Sequence, residues 1–234
     1  MLVSIVIGAL NEEKYIGKTL KTAKNQNTKH KIELIVGDGY SEDKTVAIAK
    51  KLGAKVVLEK NRSAAWERQA ASKIAKGELI CFTDADADIP NNWIELVASE
   101  FEKDNKLVLF YGPGYLSDIT GFNKFLSGIM MDAYLGVLSF FGYHNPSGFN
   151  MAVRRSAFEK IGGFNTKLVT AEDIDLAKRI SKQGKIKYNP AVKMYVSARR
   201  VKKWGYIKFT LFHIINGIKY QFFGKSSDKY EAVR

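Results

Sequence analysis

Residues 79–88 read Leu-Ile-Cys-Phe-Thr-Asp-Ala-Asp-Ala-Asp, an uncharged apolar run followed at once by alternating aspartates. The run Leu79–Thr83 predicts a buried β-strand, because it is short, apolar and rich in residues that favour strands. The aspartates predict a polar loop at the carboxyl end of that strand. If the strand belongs to a parallel sheet, this is the edge at which ligands bind.

The stretches before residue 79 repeat this pattern of a short apolar run followed by an amphipathic segment. The predicted strands are Val3–Ile7, Ile32–Val36, Lys55–Leu58 and Leu79–Thr83. The predicted helices are Lys14–Asn25, Ser41–Leu52, Ala64–Ala75 and Asn91–Phe101. Repeated βα units predict an α/β fold in which a mostly parallel central sheet is flanked by helices.

The regular alternation ends near residue 107. The later segments are a strand Leu107–Tyr111, an apolar helix within Ile119–Gly142, a short segment Phe149–Arg154, a helix Ala171–Gln183 and an aromatic helix Trp204–Phe223. No internal repeat or linker divides the chain, so we expect a single domain over residues 1–225. Residues 226–234 are polar and aperiodic, and we expect them to form a flexible tail.

The charge of the chain is strongly basic and unevenly distributed. Its 37 Lys and Arg against 24 Asp and Glu give a net charge of +13. The range Lys182–Lys225 holds eleven basic residues and no acidic one. Such a segment attracts polyanions, and diphosphates, anionic lipid headgroups and nucleic acid all remain candidates.

Three features bear on the compartment of the protein. The single cysteine, Cys81, excludes an internal disulfide and fits a reducing environment. The N-terminal apolar run resembles a strand more than a signal peptide. The two most apolar helices carry charged residues, which argues against a membrane span. We therefore expect a cytoplasmic protein.

Three polar loops follow the predicted strands, at Asn11–Glu13, Gly37–Asp43 and Asp84–Asp88. They are expected to meet at one edge of the sheet. Asp84 and Asp86 stand two residues apart and could hold one cation, since carboxylate oxygens suit Mg²⁺ or Mn²⁺. In the alternative interpretation, these acids only end a strand, and Asp88, just before Ile89 and Pro90, is the N-cap of the next helix.

The other candidate residues also have a structural alternative. Asp38, flanked by glycines, could accept an N–H of a nucleotide base or could stabilise its own turn. Glu12 could bind a ligand or could complement a helix dipole. Arg68 taken alone is an ordinary surface arginine. Thr170 and Asp173 fit a helix capping box, whereas a function in catalysis would make Asp173 a general base.

Taken together in this order, the motifs resemble the family 2 glycosyltransferases of the GT-A fold, over about residues 3–200. The segments that carry the resemblance are Val3–Glu13, Ile35–Thr45, Arg68 with Ala75–Glu78, Asp84–Asp86, Gly148–Arg155, Phe158–Phe164 and Glu172–Asp173. Gly8 stands where the family commonly has proline, and Gln69 replaces the usual asparagine. The processive signature Gln-x-x-Arg-Trp is not present.

The resemblance implies a Rossmann-like nucleotide-binding half at residues 1–110, an acceptor-side half at 111–203 and a C-terminal amphipathic helix at 204–225. The residues expected to bind the nucleotide sugar are Ala9, Asn11, Glu12, Asp38, Arg68, Asp84 and Asp86. The last two are also the expected ligands of Mg²⁺ or Mn²⁺. Asn150 and Glu172 would lie on the acceptor side, with Asp173 as catalytic base. Arg199 and Arg200 would lie near the leaving phosphates or, in the alternative interpretation, belong to a solvated basic face.

The implied activity is inverting, metal-dependent transfer of a sugar from a nucleotide diphospho-sugar to an acceptor hydroxyl of a glycan or lipid-linked molecule. Two alternatives remain open. A nucleotidyltransferase uses a similar sheet but usually opens with a glycine-rich basic loop, whose place Asn11–Glu13 occupies. A noncatalytic basic module would explain Lys182–Lys225 but not three acidic loops at one edge. We expect no nucleic acid partner.

The aromatic and basic residues of the last helix suggest contact with an anionic membrane. Tyr206, Phe209, Phe212, Tyr220, Phe222 and Phe223 recur among lysines there. Helices with aromatic and basic faces bind the surface of such membranes, which predicts a peripheral location at the inner face. In the alternative interpretation, the same helix packs onto the domain as part of its core.

Overall fold

The structure is a computed structural model that describes residues 1–118, 121–228 and 230, and within 121–130 it describes the backbone alone. The strands are β1 (Leu2–Ala9), β2 (Lys31–Asp38), β3 (Lys55–Leu58), β4 (Leu79–Asp84), β5 (Ala87–Asp88), β6 (Leu107–Tyr111), β7 (Gly114–Leu116), β8 (Met151–Arg154), β9 (Lys185–Tyr188) and β10 (Met194–Val196). The helices are α1 (Ile16–Lys24), α2 (Thr45–Lys51), α3 (Ala64–Ser72), α4 (Trp93–Lys103), α5 (Gly121–Phe140), α6 (Arg155–Lys160), α7 (Glu172–Ile180), α8 (Arg199–Trp204) and α9 (Tyr206–Phe223), with a short 3₁₀ helix at Ser181–Gln183.

Within the described residues, seven strands form one central sheet in the order β3-β2-β1-β4-β8-β6-β9. Strand β8 is antiparallel to both of its neighbours, and the other strands run in one direction. The predicted α/β fold with a mostly parallel sheet is therefore confirmed. Strands β8 and β9, from the predicted acceptor-side half, lie in the same sheet as β1 to β4. A smaller sheet has the order β5-β10-β7.

Both faces of the central sheet are covered, which is why its middle strands are almost entirely apolar. Alternate side chains of β1 point to opposite faces: Val3, Ile5 and Ile7 join a core with α1, α2 and α4. Val6 joins the second core, with α3, α6 and α7. The polar ends of these strands are left at the sheet edge.

Gly37 near the end of β2 allows α3 to lie directly against the sheet. A β-carbon at Gly37 would stand 2.0 Å from the carbonyl oxygen of Glu67, so a side chain there would force the helix away. The glycine that precedes Asp38 is thus required by the backbone of the chain itself. This close approach brings Arg68, the next residue of α3, to the carboxyl ends of the strands.

Two predicted helix starts are wrong. Asp88 is not an N-cap, because it lies in β5, pairs with Lys18 at 2.7 Å, and is followed by a helix that begins only at Trp93. Thr170 caps no helix either. Its hydroxyl donates to the carbonyl of Ser227 at 2.8 Å, and α7 begins after Ala171, which has a left-handed backbone with φ of 62°.

Other predicted boundaries shift by a few residues. Helix α2 begins at Thr45 instead of Ser41, because residues 41–44 form a loop in which Asp43 accepts a hydrogen bond from the Thr45 nitrogen. The helix predicted at Trp204–Phe223 begins only at Tyr206, because Trp204 ends α8 and Gly205, whose φ is 81°, separates α8 from α9. The helix predicted at Ala171–Gln183 is α7 followed by the 3₁₀ turn.

The described part of the predicted tail packs on the domain. Ser227 receives the Thr170 hydrogen bond, and its nitrogen donates to Asn216 in α9 at 2.8 Å. Tyr230 stacks on Phe212, with ring centroids 5.6 Å apart. Residues 229 and 231–234 lie outside the described residues. The division of residues 1–225 into functional halves stays a prediction.

Candidate functional site

The register of the central sheet brings the three polar loops together. In the parallel pairing of β1 with β2, Ala9 faces Asp38, and in the pairing with β4, Gly8 faces Asp84. Since parallel strands end at the same edge, the loops after these residues are neighbours. The predicted meeting of the acidic loops at one edge is confirmed.

Asp38 and Asn11 hold two of these loops in shape. Both carboxylate oxygens of Asp38, which is fully buried, accept hydrogen bonds from Ser41, one from its nitrogen at 2.8 Å and one from its hydroxyl at 2.6 Å. The Asn11 side chain accepts from the Glu42 nitrogen at 2.8 Å, and Asn11 itself has a left-handed backbone. Asp38 thus stabilises its own turn, which is one of the two roles that the sequence left open. A nucleotide base could contact Asp38 only in addition to these two bonds with Ser41.

Arg68 joins the end of β4 to the start of α7. It donates to Asp84 Oδ1 at 2.6 Å and to Glu172 Oε1 at 2.8 Å, across 104 residues of sequence in the second case. Its side chain is only 5% exposed, so the expectation of an ordinary surface arginine is wrong. Burial lowers the pKa of the guanidinium, but the Asp84 and Glu172 charges outweigh this and raise the pKa above its usual range.

A second arginine makes a similar bridge on the other side of Asp84. The guanidinium of Arg199, from α8, contacts both oxygens of Glu12, at 2.7 and 2.5 Å, and its Nε lies 3.2 Å from Asp86 Oδ2. Tyr15 lies beneath it, with the ring centroid 5.1 Å away. The C-terminal basic segment therefore reaches the acidic edge, and Glu12 is bound by the protein itself.

Asp173 is half-buried at the start of α7, next to Glu172, the residue that Arg68 contacts. One carboxylate oxygen accepts from the Gly148 nitrogen at 2.9 Å and the other from the Ile174 nitrogen at 2.8 Å. Burial raises the pKa of Asp173 well above its usual range, Glu172 raises it further, and Arg68 opposes both. A carboxylate with a raised pKa is a stronger base, which suits proton abstraction.

The donor set at the acidic edge fits a shared cation site. Burial and the neighbouring charge of Asp84 raise the pKa of Asp86 to about 7, so a positive charge here would be stabilising. Among the described residues, no cluster of three or more His, Cys, Asp or Glu side chains is arranged to hold a metal ion alone. Two carboxylates completed by substrate phosphates are the usual protein contribution to a Mg²⁺ site.

Asn150, predicted on the acceptor side, has a packing role in the structure. It is 1% exposed. Its amide nitrogen donates to the Pro113 and Val192 carbonyls, both at 2.8 Å, and its oxygen accepts from Trp93 Nε1 at 2.9 Å. These bonds join β8 to the loops beside it, and they leave no side-chain group for an acceptor.

Arg200 and Tyr230 form a contact that the sequence did not predict. Arg200 donates to the Tyr230 hydroxyl at 2.7 Å and its guanidinium lies 4.4 Å from the ring centroid. Burial raises the pKa of Tyr230 to about 12, Arg200 lowers it, and Asp84, Glu172 and Asp173 raise it. The phenol thus lies near these acids. The aperiodic sequence around Tyr230 gave no signal of this.

Comparison with known proteins agrees with this geometry. Residues 4–162 match the model of the family described as Glycosyl transferase family 2. The chain belongs to this family. The resemblance seen in the motifs is therefore confirmed, and membership disfavours the nucleotidyltransferase and the noncatalytic module.

Two characterised relatives show how far the family likeness extends. The hyaluronan synthase of Pasteurella multocida is 28% identical over 256 residues, covering 99% of this chain and 25% of that protein. The UDP-Glc:alpha-D-GlcNAc-diphosphoundecaprenol beta-1,3-glucosyltransferase of Escherichia coli is 34% identical over 122 residues, covering 49% of this chain and 47% of that protein. The chain thus spans between a quarter and a half of the length of these family 2 relatives.

A solved structure shows the same fold. The mannosyltransferase from Pyrobaculum calidifontis, in complex with GDP-Man and Mn²⁺, superposes with a TM-score of 0.74 and 22% identity, covering 96% of this chain and 65% of that one. This likeness shows that the chain has the GT-A fold.

Replacing Asn150 tests its packing role. Asn150→Ala would remove the partner of the Trp93 indole N–H and of the buried Val192 carbonyl, whereas the Pro113 carbonyl would keep its bond from the Met194 nitrogen. The loss should lower the free energy of unfolding by about 3 kcal/mol. Urea unfolding followed by circular dichroism measures this, with the exposed Asn61→Ala as the matched control. If Asn150→Ala leaves the stability unchanged and weakens binding of the acceptor, the packing role is wrong and Asn150 binds the acceptor.

Proposed function

We propose that this protein is an inverting, metal-dependent glycosyltransferase that moves a sugar from a nucleotide diphospho-sugar to an acceptor hydroxyl. The observation that carries the proposal is the double bridge of Arg68, whose guanidinium contacts both Asp84 and Glu172. It holds the acidic end of β4 next to the start of α7. A donor at the sheet edge would therefore have its sugar close to Asp173.

On the donor side, the proposed contacts are the strand ends and loops around Ala9. The nucleotide would lie across the ends of β1, β2 and β4, next to Asn11 and Asp38, with the ribose and diphosphate near Asp84 and Asp86. Arg68 and Arg199 offer positive charge for the diphosphate. The Pyrobaculum structure of similar fold, solved with GDP-Man and Mn²⁺, supports this placement.

Asp84 and Asp86 would hold Mg²⁺ or Mn²⁺ together with the donor phosphates. When bound, the ion would neutralise negative charge on the departing diphosphate. The partial exposure of Asp84, 37% against 9% for Asp86, leaves one of the two carboxylates open to solvent and to a ligand. Arg68 keeps Asp84 oriented towards the cleft.

The chemistry proposed for Asp173 is a single displacement. Its carboxylate takes the proton from the acceptor hydroxyl as that oxygen attacks the anomeric carbon, and the bond from this carbon to the diphosphate oxygen breaks. Attack on the face opposite to the leaving group inverts the anomeric configuration. The hydrogen bonds from Gly148 and Ile174 fix the carboxylate while the reaction proceeds.

The acceptor that we propose is lipid-linked. The Escherichia coli relative is named for a diphosphoundecaprenol acceptor, which supports this class. The exposed face of α9 supports it independently, since Ile207, Leu211, Ile215, Ile218 and Phe222 follow each other at helical spacing and are all exposed. We call these five residues the α9 stripe.

The surface around the α9 stripe fits an anionic lipid membrane. Phe222 contacts Tyr143, with ring centroids 5.3 Å apart, and the neighbouring Phe140 is 86% exposed, so the end of α5 continues the apolar surface. The stripe lies within Lys182–Lys225, where all charged side chains are Lys or Arg. Apolar side chains flanked by lysines bind anionic bilayers, which fits peripheral attachment at the cytoplasmic face.

Only a narrow side of α9 packs on the domain. Its buried residues are Asn216, Gly217 and Tyr220, and Tyr220 donates to Asp175 of α7 at 2.6 Å. In the described part of the chain, none of the helices is long and apolar enough to cross a membrane. The membrane contact that we propose is therefore by an interfacial helix.

Removing the proposed base gives the first test of catalysis. Asp173→Asn should lower kcat by about 10² to 10⁴, because the proton of the acceptor hydroxyl would no longer have a base. Binding of the donor, measured by calorimetry, should persist. In the unmutated protein, kcat/KM should fall as the pH drops through the raised pKa of Asp173, well above the value near 4 of a free aspartate.

The control for this variant is Asp175→Asn on the same helix. Asp175 binds Tyr220 and Arg179, so its loss should reduce stability and leave kcat within about threefold. A rate in Asp173→Asn within about tenfold of the unmutated rate, with the donor still bound, would rule out Asp173 as the base.

Flotation with vesicles tests the membrane contact. The protein should bind phosphatidylglycerol vesicles at moderate salt and not phosphatidylcholine vesicles. Ile207→Ser with Leu211→Ser, two residues of the α9 stripe exposed by 75% and 51%, should weaken binding about tenfold or more, because each contributes apolar area to the lipid contact. The double variant Leu58→Ser with Val169→Ser removes exposed apolar residues elsewhere and should bind normally. Equal effects of the two pairs, or no binding at all, would contradict the proposal.

A further inference from the structure

The acidic edge binds two arginines, and the two differ in how firmly they are placed. Arg68 projects from the middle of α3 and its side chain is 5% exposed. Arg199 lies at the first turn of α8, and its side chain is 20% exposed. Of the two side chains, that of Arg199 is the more exposed to solvent, so it is the one that we expect to change its position.

Arg199 contacts Glu12 more closely than it contacts Asp86. It makes a two-pronged bond with Glu12, and it reaches Asp86 only through Nε, at 3.2 Å. Asp86 is nearly buried and has the charge of Asp84 beside it. Buried carboxylates need a cationic partner, and in this arrangement Asp86 has the weaker share of one.

A divalent cation bound to Asp86 Oδ2 would lie close to the Arg199 guanidinium in this arrangement. A Mg²⁺ or Mn²⁺ ligand oxygen lies about 2.1 Å from the ion. The ion would then stand next to a guanidinium whose Nε is 3.2 Å from the same oxygen, Oδ2. Two cations at such a separation repel each other strongly in a site with little solvent.

We propose that Arg199 acts as the resident counter-ion of Asp86 and competes with the divalent cation, so that the cation binds tightly only together with the diphosphate of the donor. The diphosphate supplies the negative charge to which the displaced guanidinium can turn. This inference rests on the proposed function, since it assumes a donor with a diphosphate and a metal at Asp86. Arg199 is a positioning residue in this account.

Replacement of the Arg199 guanidinium by a divalent cation at Asp86 requires only the Arg199 side chain to move. The backbone at the start of α8 is fixed by Asp118, which accepts from the Ala198 nitrogen at 2.7 Å and contacts Lys202 Nζ at 2.6 Å. The helix can therefore stay in place while the flexible Arg199 side chain turns from Glu12 and Asp86 to the phosphates. A positive charge then remains at the site in either state.

Competition of this kind predicts a specific pattern of affinities. In the unmutated protein, Mn²⁺ alone should bind weakly, and the presence of UDP or GDP should strengthen its binding by about 10- to 100-fold. In Arg199→Gln, Mn²⁺ alone should bind about tenfold more tightly, because its competitor is gone. The strengthening by nucleotide should shrink by a similar factor, because the diphosphate loses a cationic partner.

The measurements are Mn²⁺ titration by electron paramagnetic resonance and nucleotide titration by calorimetry, with and without Mn²⁺. Lys203→Gln is the matched control, since it removes the same charge from the same helix at an exposed position and should change Mn²⁺ affinity less than twofold. If Arg199→Gln binds Mn²⁺ alone no more tightly than the unmutated protein, the competition is disproved.

A second pair of variants covers a failure of Arg199→Gln to fold, which its buried partner Glu12 makes a risk. Glu12→Gln with Arg199→Gln removes both partners, and this double variant should bind Mn²⁺ alone about tenfold more tightly than the single variant Glu12→Gln. Equal affinities disprove the competition.

Failure of the proposed function would give a different result. In that case the unmutated protein binds neither UDP nor GDP even with Mn²⁺, whereas failure of the competition alone leaves metal-dependent nucleotide binding intact.

Discussion

The site depends on the pairing of four clustered carboxylates, buried or partly buried, with two arginines. Glu12, Asp84, Asp86 and Glu172 all lie at one edge of the sheet, where their mutual repulsion would be large without cations. Arg68 connects Asp84 to Glu172, and Arg199 connects Glu12 to Asp86. Each guanidinium therefore bridges two segments that are distant in sequence, so these ion pairs join the two halves of the chain as well as neutralising the edge.

The apolar part of the structure makes these pairs possible. Strands β1, β2 and β4 are covered on both faces, so their backbones are fixed and their carboxyl ends stay in register. Gly37 lets α3 approach β2 closely enough for Arg68 to reach the acids. The charges are thus positioned by packing, and the pairing in turn holds α7 and α8 close to the sheet. The same arrangement places acidic and basic side chains together, as the proposed binding of a cation and a diphosphate requires.

The sequence predicted the elements that depend on local pattern. The alternating apolar runs gave the parallel sheet, and the aspartates after residue 83 gave the position of the acidic edge. The partners of single side chains were beyond such reasoning. Nothing local in the sequence pairs Glu12 with Arg199, which are 187 residues apart, and a polar Asn150 in an aromatic segment looks like a ligand-binding residue until its three buried bonds are seen. Thr170 has the pattern of a cap, but a more distant partner, Ser227, takes its hydroxyl.

The most direct test of the account is the position of the metal in crystals grown with Mn²⁺ and a nucleoside diphosphate. Anomalous scattering at the manganese edge should show one ion bound by oxygen atoms of Asp84 or Asp86 and by both phosphates, at about 2.1 to 2.2 Å. Asp173 should face the same cavity. An ion elsewhere, or a nucleotide bound away from the ends of β1, β2 and β4, would contradict the central claim that this acidic edge is a donor site.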